Sequence, residues 1–436
     1  MNNSLILSGD VTLAVTRFID PTTEFWERHV LRLSSGIEHM GNINWRLALC
    51  LLLAWIIVFV CIFNGIKTSG KVMYFTATAP YVFMFALLIR CVTLDGAVSG
   101  LKYYITPDWV KLKSISIWVD AGSQVFFSYS ISLGTLTTLG SFNKFRQNFI
   151  RDCVAYATVN TFTSLLAGLI VFATLGHMAT VAGVSIDQVA DSGPGLAFVV
   201  YPKALGIMPF SPFWAVCFFL MIILLGIDSQ FVGVEGFVTS IMDFFPRLAN
   251  NKKWRVIFIG SVCSVMYLVG LSMVTEGGMY LFQLFNHYAG SLIIMLTAFA
   301  QCVAVGYFYG ARKVTAHVKV MTQMLVGYAP TILYCVVSPV FTMTIFILSL
   351  ITYEELTYDR TEKTIIYHYP NWSVQLGWLL ASCSPIMIPV VMCYQIIRTP
   401  GGLLQRLRHL IKPDFTEAQL KRIEGKDESD QGKSRG

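Results

Sequence analysis

The sequence predicts an all-α polytopic membrane protein, and three observations predict it. The 436 residues are 55% hydrophobic and 13% charged, with mean hydropathy +0.61, whereas a soluble domain carries about 25% charged residues. Apolar windows long enough to cross a bilayer, about 20 residues, recur down the chain. The segments between those windows alternate in charge. Hydropathy places nine spans at roughly 44–64, 72–94, 115–142, 153–176, 211–242, 254–274, 279–310, 324–350 and 373–397. The first contains LALCLLLAWIIVFVCIF and is continuously apolar; the third carries polar residues at its middle.

Charge sets the orientation. The segments 67–71, 141–152, 243–255 and 311–320 hold 12 Lys/Arg against two acids, Asp152 and Asp243. The alternating segments hold 9 Lys/Arg and 14 acids. The positive-inside rule therefore puts the first set in the cytoplasm. The N-terminus is then outside and the C-terminus cytoplasmic. The chain divides into an extracellular segment, 1–42, a membrane core, 43–398, and a cytoplasmic tail, 399–436. The tail opens as a basic stretch, LLQRLRHLIKP, expected as a short surface helix, and ends polar and partly disordered. An external N-terminus without a signal peptide, together with an odd number of spans, leads us to expect an N-terminally truncated product or an incomplete gene model. The segment 177–210 contains DSGPGLAFVVYPKALG and is long enough for a functional lid or an inert cap.

Ten cysteines lie in or beside apolar segments without a CxxC pair, which excludes a disulfide framework or zinc site and reads as buried small hydrophobes. The seven histidines are scattered, and no P-loop or nucleophile elbow is present. An enzyme is therefore not expected, and nothing points to a nucleic-acid partner. Two N-x-S sequons, at Asn2 and Asn371, fall outside the membrane in this orientation and make the protein a candidate glycoprotein.

The residues that carry chemistry are charges and amides at membrane depth. Of 25 acids, only Asp120, Asp228 and Glu235 fall within the spans, where a charge is costly and faces a cavity or a partner. Asp228 sits in LLGIDSQFVGVEG, followed by Ser229 and Gln230. A carboxylate beside a hydroxyl suits a desolvated monovalent cation, since hard cations take oxygen ligands; a structural pair with a neighbouring helix is the other reading. The third span, WVDAGSQVFFSYSISLGTLTTLG, concentrates Gln124, Ser128, Ser130 and Ser132 ahead of Gly134. Such a run predicts a broken helix near 126–131. Non-helical backbone at this depth lines a cavity or is buried in protein, and transporters use such breaks to bind ions. Packing through small residues is the competing explanation. Phe126 and Phe127 precede the break, placed to close over a solute. In the fourth span Asn160 and Ser164 share one helix face. With Gln124 and Ser128 they form a neutral set able to accept toward a cation or donate toward chloride. Interhelical hydrogen bonding explains the same residues equally well.

The stretches EFWERHVLRLSSGIEHMG, GKVMYFTATAPY, DAGSQVFFSYSISLG, GPGLAFVVYPKAL, LLGIDSQFVGVEG and TEGGMYLFQLF resemble the neurotransmitter:sodium symporter family, in order, from about Glu24 to Arg398. The resemblance implies a fold of two inverted five-helix repeats, incomplete here, with these spans matching the fourth to twelfth of twelve. It implies sodium ligands at Leu225 (through its carbonyl), Asp228 and Ser229, and a second sodium set at Ser128 and Asn160. It implies chloride at Gln124, Ser128, Asn160 and Ser164. Phe127, Ser128, Leu133, Gly134, Ser229 and Gly233 correspond to the substrate wall. Phe127 resembles the lid, and Asp243 the acid of the cytoplasmic gate. Two departures stand out: Asn286 occupies the place of an external-gate acid, and Phe142 that of a gate tyrosine. The implied activity is sodium- and chloride-coupled symport across the plasma membrane, with Na+ and Cl− as co-substrates. FFSYSISLG and DSQFVGVEG look most like the carriers of GABA, taurine, betaine and creatine. The expected partners are a small-molecule solute, the lipid bilayer and a second copy in a homo-oligomer. A truncated non-transporting protein that associates with an intact carrier is the alternative.

Overall fold

A computed structural model describes residues 21–63, 66–189, 194–245, 251–322, 328–360 and 365–412. Among these residues, eight helices or helical runs are long and apolar enough to cross a membrane. The helices that position the candidate sites are α1 Trp45–Ile62, α2 Ile66–Val92, α3 Ala97–Ile105, α4 Ile115–Ser128, α5 Thr135–Ser141, α6 Phe149–Ala182, α7 Tyr201–Ile207, α8 Ser211–Phe244 and α9 Lys252–Met273. They are followed by α10 Gly278–His287, α11 Ile293–Val303, α12 Ala311–Thr322, α13 Ser338–Ile351, α14 Asn371–Arg398 and α15 Leu403–Ile411. An antiparallel hairpin, β1 Thr357–Arg360 and β2 Ile365–His368, precedes α14.

The structure departs from the hydropathy reading in places. The expected third span is not one of the eight long helices. It is α4 and α5, of 14 and 7 residues, separated by an irregular stretch. The basic segments 67–71 and 311–320 are helical, not loops: they belong to α2 and α12. Lysines and arginines are good helix formers, so hydropathy marks the end of the apolar core rather than the end of the helix. The fourth span likewise extends beyond 153–176 to Phe149–Ala182. Residues 1–20, with the Asn2 sequon, and the tail from 413 lie outside the described residues. The expected helix in the tail is present as α15.

The chain forms two compact units. In the first, α8 packs against α1 and α2 while α9 packs on α1. Val58 and Ile62 of α1, Phe231, Val234 and Val238 of α8, and Ile259 and Cys263 of α9 form one buried cluster. A second cluster joins Leu87 and Cys91 of α2 to Ile170 and Ala173 of α6 and Tyr201 and Leu205 of α7. The segment 177–210 is largely ordered helix where described. His177 Nδ1 lies 2.8 Å from the Asp95 carbonyl oxygen, and Phe198 stacks on Trp26 at 4.7 Å. Asn44 caps α1: its side chain accepts from Arg46 N–H and donates to the Val30 carbonyl. A tyrosine clasp ties distant segments of the same unit together. Tyr280 donates to the Ser34 carbonyl, Tyr369 donates to the Tyr280 carbonyl, and Ile37 N–H donates to Tyr367.

In the second unit α4 packs against α11 and α13, and α11 against α13. Ile345 of α13 sits so close to Gly122 that a Cβ there would lie 3.2 Å from it. Phe126 stacks on Phe341 at 6.1 Å. These contacts fix α4 up to the break.

Candidate functional site

The break between α4 and α5 spans 129–134, so it overlaps the expected 126–131 and begins three residues later. Hydrogen bonding stays helical through Ser128, with Tyr129 N–H still donating to the Val125 carbonyl. The chain then turns through left-handed conformations at Ser130 (φ +50°), Ser132 (φ +65°) and Gly134 (φ +79°). Glycine takes such a φ freely, whereas each serine pays for it in strain. The aromatic pair Phe126–Phe127, packed through Phe126 on α13, holds the helix one turn longer than the polar run suggests. The Ser132 hydroxyl donates to Gln301 Oε1 of α11 at 3.1 Å. Tyr129 places its hydroxyl 2.7 Å from that of Thr161 on α6.

The expected sodium and chloride residues of this unit converge in part. Asn160 Nδ2 donates to Ser128 Oγ at 3.0 Å. Gln124 lies one turn before Ser128 on α4, and Ser164 one turn after Asn160 on α6. Phe127 and Leu133 are exposed, and nothing crowds the position of a Cβ at Gly134. Asn286 is exposed near the end of α10.

The first unit carries the other cation set on one turn of α8. Ser229 Oγ donates to the Leu225 carbonyl at 3.1 Å, and Asp228 lies between them, half-buried. Thr76 Oγ1, buried on α2, donates to Asp228 Oδ1 at 2.9 Å. Among the described residues no lysine or arginine pairs with Asp228. One carboxylate oxygen, a backbone carbonyl and a hydroxyl thus stand within one turn, an oxygen set that fits a hard monovalent cation. Nothing crowds the position of a Cβ at Gly233. Asp243 is exposed close to the end of α8.

Glu235, the second acid inside this span, takes the structural role. It is 2% exposed and pairs with Arg255 of α9 at 3.4 Å. Asp120 is exposed one turn into α4. The Asn371 sequon occupies the first turn of α14 with its Ser373 fully buried.

Thr76 and Gln301 were not singled out from the sequence. Each is an uncharged polar residue in a mainly apolar helix, far along the chain from its partner. Only the helix pairing α2–α8 or the packing of α11 on α4 identifies them.

Long apolar helices, one helix broken at polar residues, and a carboxylate within a long apolar helix that has no cationic partner among the described residues define a polytopic membrane protein. Comparison with known proteins specifies the family. The model of the "Sodium:neurotransmitter symporter family" matches residues 3–399, and the chain belongs to that family. It is 47% identical over 408 residues to the sodium- and chloride-dependent taurine transporter of Canis lupus familiaris, covering 92% of this chain and 64% of that protein. It is 46% identical to the sodium- and chloride-dependent GABA transporter 2 of Rattus norvegicus, covering 94% and 67%. With the creatine transporter of Torpedo marmorata it shares 47% identity, covering 91% and 64%. The chain thus spans about two thirds of the length of these relatives. They are solute transporters, and several apolar helices make this chain a multi-pass plasma-membrane protein.

Proposed function

We propose that this chain moves a small amino-acid-like or zwitterionic solute of the GABA, taurine, betaine and creatine class, coupled to sodium and chloride, by alternating access. The observation that carries the reading is Asp228. It is a carboxylate near the middle of a 34-residue apolar helix, held by a threonine hydroxyl and, among the described residues, without a cationic partner. Leu225 O, Asp228 and Ser229 hold one sodium ion; Ser128 and Asn160 hold a second. Gln124, Ser128, Asn160 and Ser164 donate toward chloride. Phe127 closes over the solute, and Ser128, Leu133 and Gly134 in the one unit and Ser229 and Gly233 in the other are the positions that the family resemblance assigns to solute contact. Asp243 serves the cytoplasmic gate, and Asn286 gives the external gate a neutral hydrogen bond instead of an ion pair. The C-terminus is cytoplasmic.

Sodium shifts the conformational equilibrium only by its difference in affinity for the two states. An oxygen cage that closes in one state and opens in the other supplies that difference. Inward movement of each charge gains about 2.3 kcal/mol per 100 mV, which drives solute accumulation. The test is uptake of labelled taurine, GABA, betaine and creatine into proteoliposomes containing the purified chain. Uptake that requires external sodium and is lost in Asp228→Ala supports the proposal; sodium-independent uptake, or a fully active Asp228→Ala, contradicts it. The 64% coverage of its relatives favours a second reading, a non-transporting partner of an intact carrier. In that case no uptake occurs in any buffer, and the chain co-purifies with the intact carrier.

A further inference from the structure

The last described helix is built for a surface. In α15, Leu403, Leu404, Leu407, Leu410 and Ile411 recur at a spacing that puts all five on one face. That face is uncovered: Leu403 is 67% and Leu404 70% exposed, and the other three are exposed as well. Arg406 and Arg408 border the apolar face, one on each side, and Lys412 follows. From Arg398 to Lys412 the sequence contains no acid.

The helix is also tied closely to the end of a candidate membrane span. The long apolar helix α14 ends at Arg398, and α15 begins at Leu403. The four intervening residues reach at most about 14 Å. Gly401 turns the chain with φ +118°. Gly402 N–H donates to Gln405 Oε1 at 3.3 Å. Arg406 donates through Nε to the Gly401 carbonyl at 2.7 Å and through Nη1 to the Ile396 carbonyl at 3.2 Å. One guanidinium therefore joins the last turn of the span to the elbow and to the short helix.

We propose that α15 is an interfacial anchor that lies on an anionic lipid surface, with its leucines among the acyl chains and Arg408 and Lys412 at the headgroup phosphates. A nine-residue helix is marginal in water by itself, but an apolar face flanked by cations is stabilised at a lipid interface. The bilayer is the nearest apolar phase to a helix tethered this closely to a span. The anionic character of the cytoplasmic leaflet matches its charge. Placing α15 at that leaflet rests on the proposed orientation; affinity for anionic lipid does not.

The test uses the full chain in nanodiscs of phosphatidylcholine alone or phosphatidylcholine with phosphatidylserine, read by hydrogen exchange of the 403–411 amides. Exchange is expected to be slower with phosphatidylserine, and high salt should remove the difference. Arg408→Gln should shrink the protection about fivefold, the effect of about one surface charge, while Arg408→Lys retains it. Leu407→Asp should abolish protection in both discs, with exchange in α14 unchanged. Three results overturn the proposal. They are equal protection in both disc types and in detergent, protection that disappears when 413–436 is removed (the tail then covers the face), and protection that rises with the number of chains per disc (a second copy then covers it). All of these are read without solute or sodium, so failure of the transport proposal leaves them untouched.

Discussion

At position 228 the partner decides the chemistry. A lysine or arginine there would neutralise the carboxylate and leave nothing for an ion. A threonine hydroxyl orients one oxygen and leaves the negative charge in place. Thr76→Val removes a hydrogen bond to a charged group, worth about 1.5–3 kcal/mol. The half-saturating sodium concentration in proteoliposome uptake should therefore rise at least about tenfold, with the amount of folded protein unchanged. A normal sodium dependence in Thr76→Val would remove Thr76 from the site. The same reasoning applies at the break. Ser132 is held in a left-handed conformation and bonded to Gln301. Gln301→Leu deletes the acceptor at a cost of about 1 kcal/mol. It should raise the half-saturating solute concentration about fivefold while leaving the sodium dependence set by Asp228 nearly unchanged. Asp228 could be picked out from sequence because a charge in an apolar run is conspicuous. Thr76 could not, because a hydroxyl satisfied by its own helix looks identical at any of several threonines.

Between elements, two features fix how the helices of the first unit pack. The Glu235–Arg255 pair joins α8 to α9, with Glu235 Oε2 and Arg255 Nε buried and unsatisfied. Removing one partner strands a buried charge at about 3–5 kcal/mol. Arg255→Met should lower the thermal stability of the detergent-solubilised protein sharply, and Glu235→Leu with Arg255→Met should recover most of the loss; additive losses would show that the two side chains do not interact. Where α3 crosses α6 the helices meet backbone to backbone. A Cβ at Gly100 would lie 1.8 Å from the Phe172 carbonyl oxygen, and one at Gly176 would lie 2.6 Å from Gly100 N. This is close packing through small residues, as membrane helices use it. Gly100→Ala should therefore abolish accumulation of folded protein, whereas Gly134→Ala, with open space around it, should cost only its left-handed φ. Outside the membrane, burial pushes the Tyr367 hydroxyl above its ordinary value, the Ile37 N–H bond opposes that shift and nearby Glu38 adds to it; burial also raises Tyr369. The neutral forms are the ones the fold favours. Stability of the clasp should be intact below about pH 10, the unperturbed tyrosine value, and fall as pH rises through the higher folded values. A Tyr369→Phe variant should show a weaker alkaline loss in the same melting series.

For the whole molecule, what the sequence made legible follows from what each signal measures. Hydropathy sees the transfer of side chains into lipid, so it found the apolar core of each long helix, but it missed helix continuing past that core, as in α2, α6 and α12. The broken helix was legible from its serines. Its start was misplaced by three residues, because Phe126 stacking on Phe341 is a contact between distant segments. Charge asymmetry is a property of the whole chain, and it predicts orientation independently of any site. With 12 Lys/Arg against two acids in the segments assigned to the cytoplasm, the start of α6 is predicted to face inward. Cys153, exposed in the first turns of that helix, reports on this directly. A membrane-impermeant maleimide applied to intact cells should leave Cys153 unmodified, as mapped by mass spectrometry, and should modify it after permeabilisation. Labelling of Cys153 in sealed cells would invert the orientation. It would also place the Leu403–Ile411 helix on the outer leaflet, where phosphatidylserine is scarce, so this measurement decides which membrane surface that helix meets.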